Sequence, residues 1–369
     1  MSYRVPFVDP REHYRRLKPE IDAAFTETLA QGDLVLRQQL KDFERHLAEF
    51  VGTRYAVGVN SGYHALHFSL LAAGVGEGDE VITVGHTFAA TVSAIVHAGA
   101  TPVLVDVCPD YNIDPDALGR AITERTRAVI PVHLNGRVCQ MDRIREVATK
   151  CRLIVIEDAA QALGAGFDGK MAGSFGRAAC FSFYPLKALG GLGDGGAVTT
   201  NDPDVARTVT LLRFNGEDRE TGEFHVHGYT ALLDNVNAAV LDVKLRYLPE
   251  WIEHRRRVAE LYRRRLAGVG DLSLPHFDDS RRYDSYQNYV VRTARRDDLR
   301  KFLRNEGVET LVHWPKPLWE HKGLSLTDPG LPETEHICRE VISLPMSAET
   351  TPEQVEIVAA AVRRFFGSP

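Results

Sequence analysis

The chain has 369 residues, 44% hydrophobic and 25% charged, the makeup of an ordinary soluble globular protein whose length calls for two domains or one large domain with an appendage. Its formal net charge is −6, with acids and bases mixed and no basic stripe, which excludes nucleic acid as a partner because counterion release needs clustered cations. No signal-like run or stretch of about 18 apolar residues occurs, and the five cysteines lack a CxxC pair or metal-ligand spacing. The expectation is therefore a cytoplasmic protein with reduced thiols, no membrane association and no metal.

Seven short apolar runs come first in chain order: Tyr55–Val59, Glu80–Val84, Pro102–Val107, Ala128–Val132, Leu153–Ile156, Ala179–Phe183 and Ala197–Thr200. They are rich in Val, Ile and Phe, as strands buried on both faces are. Helical patterns such as Ala65–Leu71 and Ile144–Val147 separate most of them. The alternation predicts an α/β domain with a mainly parallel sheet flanked by helices. Little chain separates the last two runs, so at least one antiparallel strand is expected there. Beyond about residue 235 the pattern changes to one long helix, Asn237–Leu266, kinked at Pro249. A strand at Tyr289–Val291, a helix at Asp297–Glu306 and a closing helix at Pro352–Phe365 follow. The division expected is 1–235, a large α/β domain with an N-terminal arm, and 236–369, a long connecting helix with a smaller C-terminal α+β domain. Arg255–Arg257 and Arg263–Arg265 share the long helix with Val258, Leu261 and Tyr262 and read as its solvated face.

Ligands of open parallel sheets bind beyond the carboxyl ends of the strands, and three such ends carry chemistry. Leu153–Ile156 runs into Glu157-Asp158-Ala159-Ala160-Gln161; a charge placed there is costly unless it is paired, although Asp158 could also be a helix N-cap. Ala179–Tyr184 runs through Pro185-Leu186 to Lys187 and then a segment with five glycines. A lysine among apolar residues and glycines loses solvation of its ammonium form and becomes a usable nucleophile; an exposed loop lysine is the plainer alternative. Val57–Val59 leads through Asn60-Ser61-Gly62-Tyr63 into an apolar-periodic helix, whose free amides suit a phosphate, with simple capping by Ser61 as the alternative. A fourth end offers Phe88 as an aromatic face. Together these parts match the needs of pyridoxal phosphate: an amine for its aldehyde, a carboxylate for its ring nitrogen and an anion cradle for its phosphate.

The order of these segments resembles that of the DegT-type sugar aminotransferases, a branch of the fold type I pyridoxal-phosphate enzymes, from Pro6-Phe7-Val8-Asp9 to Ser343-Leu344-Pro345-Met346. The resemblance implies a fold type I large domain that carries pyridoxal 5'-phosphate as an internal aldimine, a Schiff base, on Lys187. It further implies that Asp158 faces the pyridine nitrogen, that Gln161 lies near the ring hydroxyl, and that Phe88 stacks on the ring. Ser182, Gly62 and Tyr63 would hold the phosphate, and Lys187 would also shuttle the proton. The implied reaction moves an amino group from an amino acid, glutamate by resemblance, to a keto sugar that is nucleotide-linked. The implied unit is a homodimer whose subunits share active-site residues.

Three positions depart from the family pattern. Tyr63 stands where Thr is usual, and in Gly228–Asn235 Thr230 and Leu232 replace an Asn that reaches the neighbouring subunit's phosphate and an Arg. Thr230 retains a hydroxyl for that contact. His313, in Leu311–Pro317, resembles a residue bordering the substrate pocket. Gly164–Gly169 matches GxGxxG but lacks the preceding strand and following helix of a dinucleotide fingerprint. Glu223, His225 and His227 read as a solvated loop rather than a metal site. Two rival functions remain: a sugar dehydratase, whose relatives carry histidine in place of Lys187, and a non-catalytic cofactor-binding regulatory protein.

Overall fold

Fourteen strands lie in the described residues, 3–275 and 279–367 of this computed structural model. In chain order they are β1 (Tyr55–Val59), β2 (Glu80–Val84), β3 (Thr101–Val105), β4 (Thr126–Val129), β5 (Ile154–Asp158), β6 (Gly166–Phe167), β7 (Lys170–Met171), β8 (Ala178–Ser182), β9 (Gly196–Thr200), β10 (Glu217–Asp218), β11 (Glu223–Phe224), β12 (Arg282–Tyr283), β13 (Tyr289–Arg292) and β14 (Val341–Leu344). The helices are α1 (Pro10–Gln31), α2 (Gln38–Val51), α3 (Gly62–Ala72), α4 (Ala89–His97), α5 (Pro115–Ala121), α6 (Met141–Cys151), α7 (Pro203–Leu212), α8 (Asn235–Leu245), α9 (Leu248–Leu266), α10 (Arg296–Asn305), α11 (Pro332–Glu340) and α12 (Pro352–Phe366). No helix among the described residues is long and apolar enough to cross a membrane.

The central sheet has the order β1-β9-β8-β5-β4-β2-β3. Every pairing from β8 to β3 is parallel, and β9 runs antiparallel between β1 and β8. This is the antiparallel strand expected from the short connection after Phe183. The seven apolar runs are its seven strands, with ends shifted by up to three residues. Apolar side chains leave both faces of the sheet and enter two cores. One gathers Ile82, Val129, Val155, Phe181 and Phe183; the other gathers Val57, Val59, Val81, Ile130 and Ile156. The GxGxxG stretch forms the β6–β7 hairpin, with Asp168 and Gly169 both at positive φ, a two-residue turn rather than a helix start.

A third core joins α9, α10 and α12 to the β13–β14 ladder through Val258, Tyr262, Leu303, Ile342 and Val358. Alternation along these two strands sends Tyr289, Val291, Ile342 and Leu344 into that core and Val290 and Val341 toward the large sheet's core. The N-terminal residues belong with this smaller unit: Val5 exchanges main-chain bonds with Gly307 and Glu309, and the Phe7 amide donates to the Glu309 carboxylate.

Two features differ from the sequence reading. The long helix is two helices, not one kinked helix: α8 ends before Tyr247, and Pro249 sits in the first turn of α9, where a missing N–H costs nothing. α8 packs on α1 and α2 beside the large sheet, and α9 enters the smaller core. Arg255 is not part of a solvated face. It is 5% exposed and its guanidinium donates to the carbonyls of Tyr286, Gln287 and Met346, which satisfies a buried cation with main-chain acceptors. The N-terminal arm, whose secondary structure the sequence reading left open, is mostly helical, with Asp9 accepting from the amides of Arg11 and Glu12 and Gly32 closing α1 at φ 70°.

Candidate active site

A cleft of about 640 Å³ opens between the carboxyl ends of the sheet and the smaller unit. Gly62, Tyr63, Phe88, Asp158, Gln161, Ser182, Lys187 and His313 all line it, so seven of the eight expected cofactor residues and the one expected substrate residue converge. Thr230 does not join them. It is exposed, and its hydroxyl donates to Asn215 at 3.2 Å.

Asp158 closes β5 and is 6% exposed. The Thr91 hydroxyl donates to one carboxylate oxygen at 2.8 Å and the Ala160 amide to the other at 3.2 Å. No helix follows, so the N-cap alternative is set aside. Burial pushes the carboxyl above its ordinary range, while Thr91, the Ala160 amide and the charge of Lys187 pull it back. A cation bound in the cleft would complete that pull and fix the anionic form. Glu157 points to the opposite face of the strand and does different work. Fully buried, it accepts from the amides of Gly173, Phe175 and Gly176 and pairs with His133 at 2.9 Å, so its charge is spent on holding a loop.

Lys187 follows β8 on a turn in which its amide bonds the Tyr184 carbonyl at 2.8 Å. It is half-buried rather than exposed, and burial brings its amine down to about 8 against the attraction of Asp158. Beyond it the glycine-rich segment is tied to α8. Asn237 accepts from the Leu192 amide and donates to the Asp194 carbonyl, both at 2.9 Å, and buried Lys244 donates to the Gly190 carbonyl at 2.5 Å.

The start of α3 forms the third part. Ser61 caps it by accepting from the His64 amide, which leaves the amides of Gly62 and Tyr63 at the positive helix end. A Cβ on Gly62 would come within 2.8 Å of Ser182 Cβ, so glycine permits the close approach of the helix end to the Ser182 hydroxyl. The Tyr63 hydroxyl is engaged by His97 at 2.5 Å; its main chain is what it offers the cleft. Phe88, at the N-cap of α4, is 63% exposed and presents a free ring face. The Gln161 side-chain oxygen accepts from the Asn135 amide at 2.8 Å.

His313 comes from the smaller unit. It bonds the Ser343 hydroxyl at 2.9 Å, and burial with the nearby charge of Lys187 lowers it to about 4, so it is neutral at physiological pH. Trp314 beside it has φ 51°, a costly left-handed backbone for a bulky residue, and its ring stands edge-on to His86. Thr91, Asn237, Lys244 and Trp314 were not singled out from sequence. Lys244 did carry a signal, a cation flanked directly by Val243 and Leu245.

The donor set fits pyridoxal phosphate: an amine of lowered basicity, a buried carboxylate awaiting a cation, a helix end beside a hydroxyl, and an unpartnered aromatic face. The model of the DegT/DnrJ/EryC1/StrS aminotransferase family matches residues 15–363. The chain is 41% identical to a pleiotropic regulatory protein of Geobacillus stearothermophilus, covering 98% of each chain. It is 40% identical to the dTDP-3-amino-3,4,6-trideoxy-alpha-D-glucose transaminase of Streptomyces venezuelae, covering 98% of this chain and 96% of that one. Its fold matches the crystal structure of S. venezuelae DesV in complex with a ketimine intermediate, with a TM-score of 0.96, 39% identity and full coverage of both chains.

Proposed function

The chain belongs to the DegT/DnrJ/EryC1/StrS aminotransferase family, and from that premise we propose that it transfers the amino group of glutamate to a nucleotide-linked keto sugar, with pyridoxal 5'-phosphate held between Asp158 and Lys187. The convergence of Lys187, Asp158 and the first amides of α3 on one cleft carries this reading. When bound, the cofactor supplies an electrophilic carbon for the amine and a ring that withdraws electrons from the substrate carbon.

The protein supplies the rest. Asp158, fixed by Thr91 and Ala160, would keep a ring nitrogen protonated. The Lys187 amine, near 8, sits where Nζ can take and return a proton close to neutral pH. The amides of Gly62 and Tyr63 with the Ser182 hydroxyl would hold the phosphate. His313 and Trp314 border the substrate side and help exclude water. The S. venezuelae relative is named for a dTDP-linked 3-amino sugar, so dTDP-3-keto sugars are the first acceptors to try.

Borohydride reduction of the protein as purified tests the site, and mass mapping should place a cofactor adduct on Lys187. An adduct on another lysine would overturn the assignment. Formation of a 3-amino sugar from glutamate and a dTDP-3-keto sugar tests the reaction. A protein that binds cofactor and turns over no keto sugar with any nucleotide would favour the regulatory alternative.

The working unit we propose is a homodimer in which Gly228–Asn235 of one subunit reaches the other's site, Thr230 toward its phosphate. The exposed Phe224, Val226 and Tyr229 support an apolar face that a second copy would cover. Mixing Lys187→Ala with a protein inactivated in that segment should restore activity in mixed dimers; a fully active monomer in sedimentation would refute sharing.

A further inference from the structure

We propose that Gln287 is a positioning residue for Lys187, gripping the main chain on both sides of that lysine and so tying the orientation of its amine to the smaller unit. The proposal rests on the reading of Lys187 as the cofactor-bearing lysine.

The Gln287 side-chain oxygen accepts from the Ala188 amide at 2.7 Å, and its nitrogen donates to the Leu186 carbonyl at 3.0 Å. These are the residues immediately before and after Lys187. Gln287 thus presents to the lysine turn the donor and acceptor that a neighbouring strand would present. With the Lys187 amide held by Tyr184, three successive residues have their main chain fixed.

Gln287 is itself held firmly. It is 8% exposed, Arg255 donates to its carbonyl and to that of Tyr286, and Tyr286 adopts φ 50°. The Ser285 amide bonds the Gly136 carbonyl at 2.8 Å and the Asn288 amide group bonds Asn135 at 3.1 Å. The segment therefore has little freedom to follow the lysine turn; the turn must conform to it.

Asn237 makes the same two-point grip on Leu192 and Asp194, but α8 packs beside the large sheet. The far end of the glycine-rich loop is therefore held from within its own unit, and only the end bearing Lys187 is held across the cleft. A primary amide alone combines a donor and an acceptor at this reach. A Glu could accept from Ala188 but not donate to Leu186, and a Met could do neither. Asp158 and His313 face the Lys187 amine, while Lys244, Arg255 and Glu349 line a second cavity that it also borders, so a loosened turn would change the charges it meets.

The test uses the full-length protein with Gln287→Met and Gln287→Glu, checked first for unchanged oligomeric mass and melting temperature. Pyridoxal phosphate is added back to the stripped protein, and the growth of the visible band and its pH midpoint are followed. The Met variant should bind with the adduct still on Lys187, yet form the band about tenfold more slowly, because it makes neither of the two hydrogen bonds. Its pH midpoint should move, and kcat should fall with little change in KM. The Glu variant should be intermediate. Wild-type rate and midpoint in the Met variant would overturn the proposal. Should both variants fail to fold, hydrogen exchange in the wild-type protein decides: the Ala188 amide should be protected about a hundredfold over that of exposed Gly193, and equal exchange would overturn the grip. An adduct mapped to another lysine would instead remove the reading beneath it.

Discussion

The two walls of the cleft are made differently. The wall formed by the sheet carries the charged groups, Asp158 at the end of β5 and Lys187 on the turn that follows β8. The wall formed by the smaller unit carries neutral polar and aromatic groups, Gln287, Asn288, His313 and Trp314. Even its histidine is kept uncharged by burial. Charge thus resides where parallel strands fix its position, and the opposite wall sets distance, orientation and dryness. Substitutions on the first wall should abolish chemistry, and those on the second should degrade geometry and binding.

Lys187→Ala should be the most severe. In the proposed reaction it removes both the covalent anchor and the proton carrier, so turnover with glutamate and a keto sugar should fall by at least roughly 10⁴-fold, with folding unchanged by circular dichroism. A comparable loss from a substitution on the opposite wall would break the division. Asp158→Asn comes next. A neutral amide cannot keep a ring nitrogen protonated, and transamination should slow by roughly 10²–10³-fold while cofactor remains bound in equilibrium dialysis. Near-normal rates would return Asp158 to a purely structural role.

The seam between the walls should be sensitive to acid. His86 is 2% exposed and burial lowers it to about 3, as burial lowers His313 to about 4. In an unfolded chain a histidine takes up its proton near pH 6.5, so these two contribute stability above that pH and lose it as pH falls toward their folded values. The expected slope is about 1.4 kcal/mol per pH unit for each histidine below pH 6. Urea unfolding from pH 7 to 5 would show it, and His86→Gln should flatten it in part; an unchanged slope in that variant would mean that His86 does not govern the seam. The mildest effect should come from His313→Phe, with KM for the sugar raised a few-fold and kcat within about twofold, the loss of one neutral hydrogen bond. A large drop in kcat would move His313 to the chemical wall.

The parts of the molecule legible in sequence were those written locally. Period and composition gave the seven strands, because a buried parallel strand needs a short apolar run whatever surrounds it. Asp158, Lys187 and Ser61-Gly62 could be found because each lies within four residues of the end of such a run. What sequence could not show depends on distant residues. Arg255 looks like its neighbours Arg256 and Arg257, and only the carbonyls of Tyr286, Gln287 and Met346 make its burial tolerable. Pro249 is compatible with a kink or with a first turn, and packing of α8 on the sheet unit and α9 on the smaller core selects the second. Asn237 and Gln287 are unremarkable amides until the loop they grip is brought to them.

The grip on the lysine turn has a temporal side as well. Ala188 and Gln287 lie 99 residues apart, which at ~5–20 residues per second of synthesis is roughly 5–20 s. Strand β9, the last of the central sheet, ends at Thr200, so every strand of that sheet has left the ribosome well before Gln287 is made. During that interval a nascent chain can pair its sheet and bury Asp158, but its lysine turn has no clamp. If Gln287 positions Lys187 as proposed, competence to take up cofactor in the correct orientation arrives late in synthesis, with the C-terminal third of the chain. Ribosome-bound chains stalled before Gln287 would be folded over the sheet and still unready.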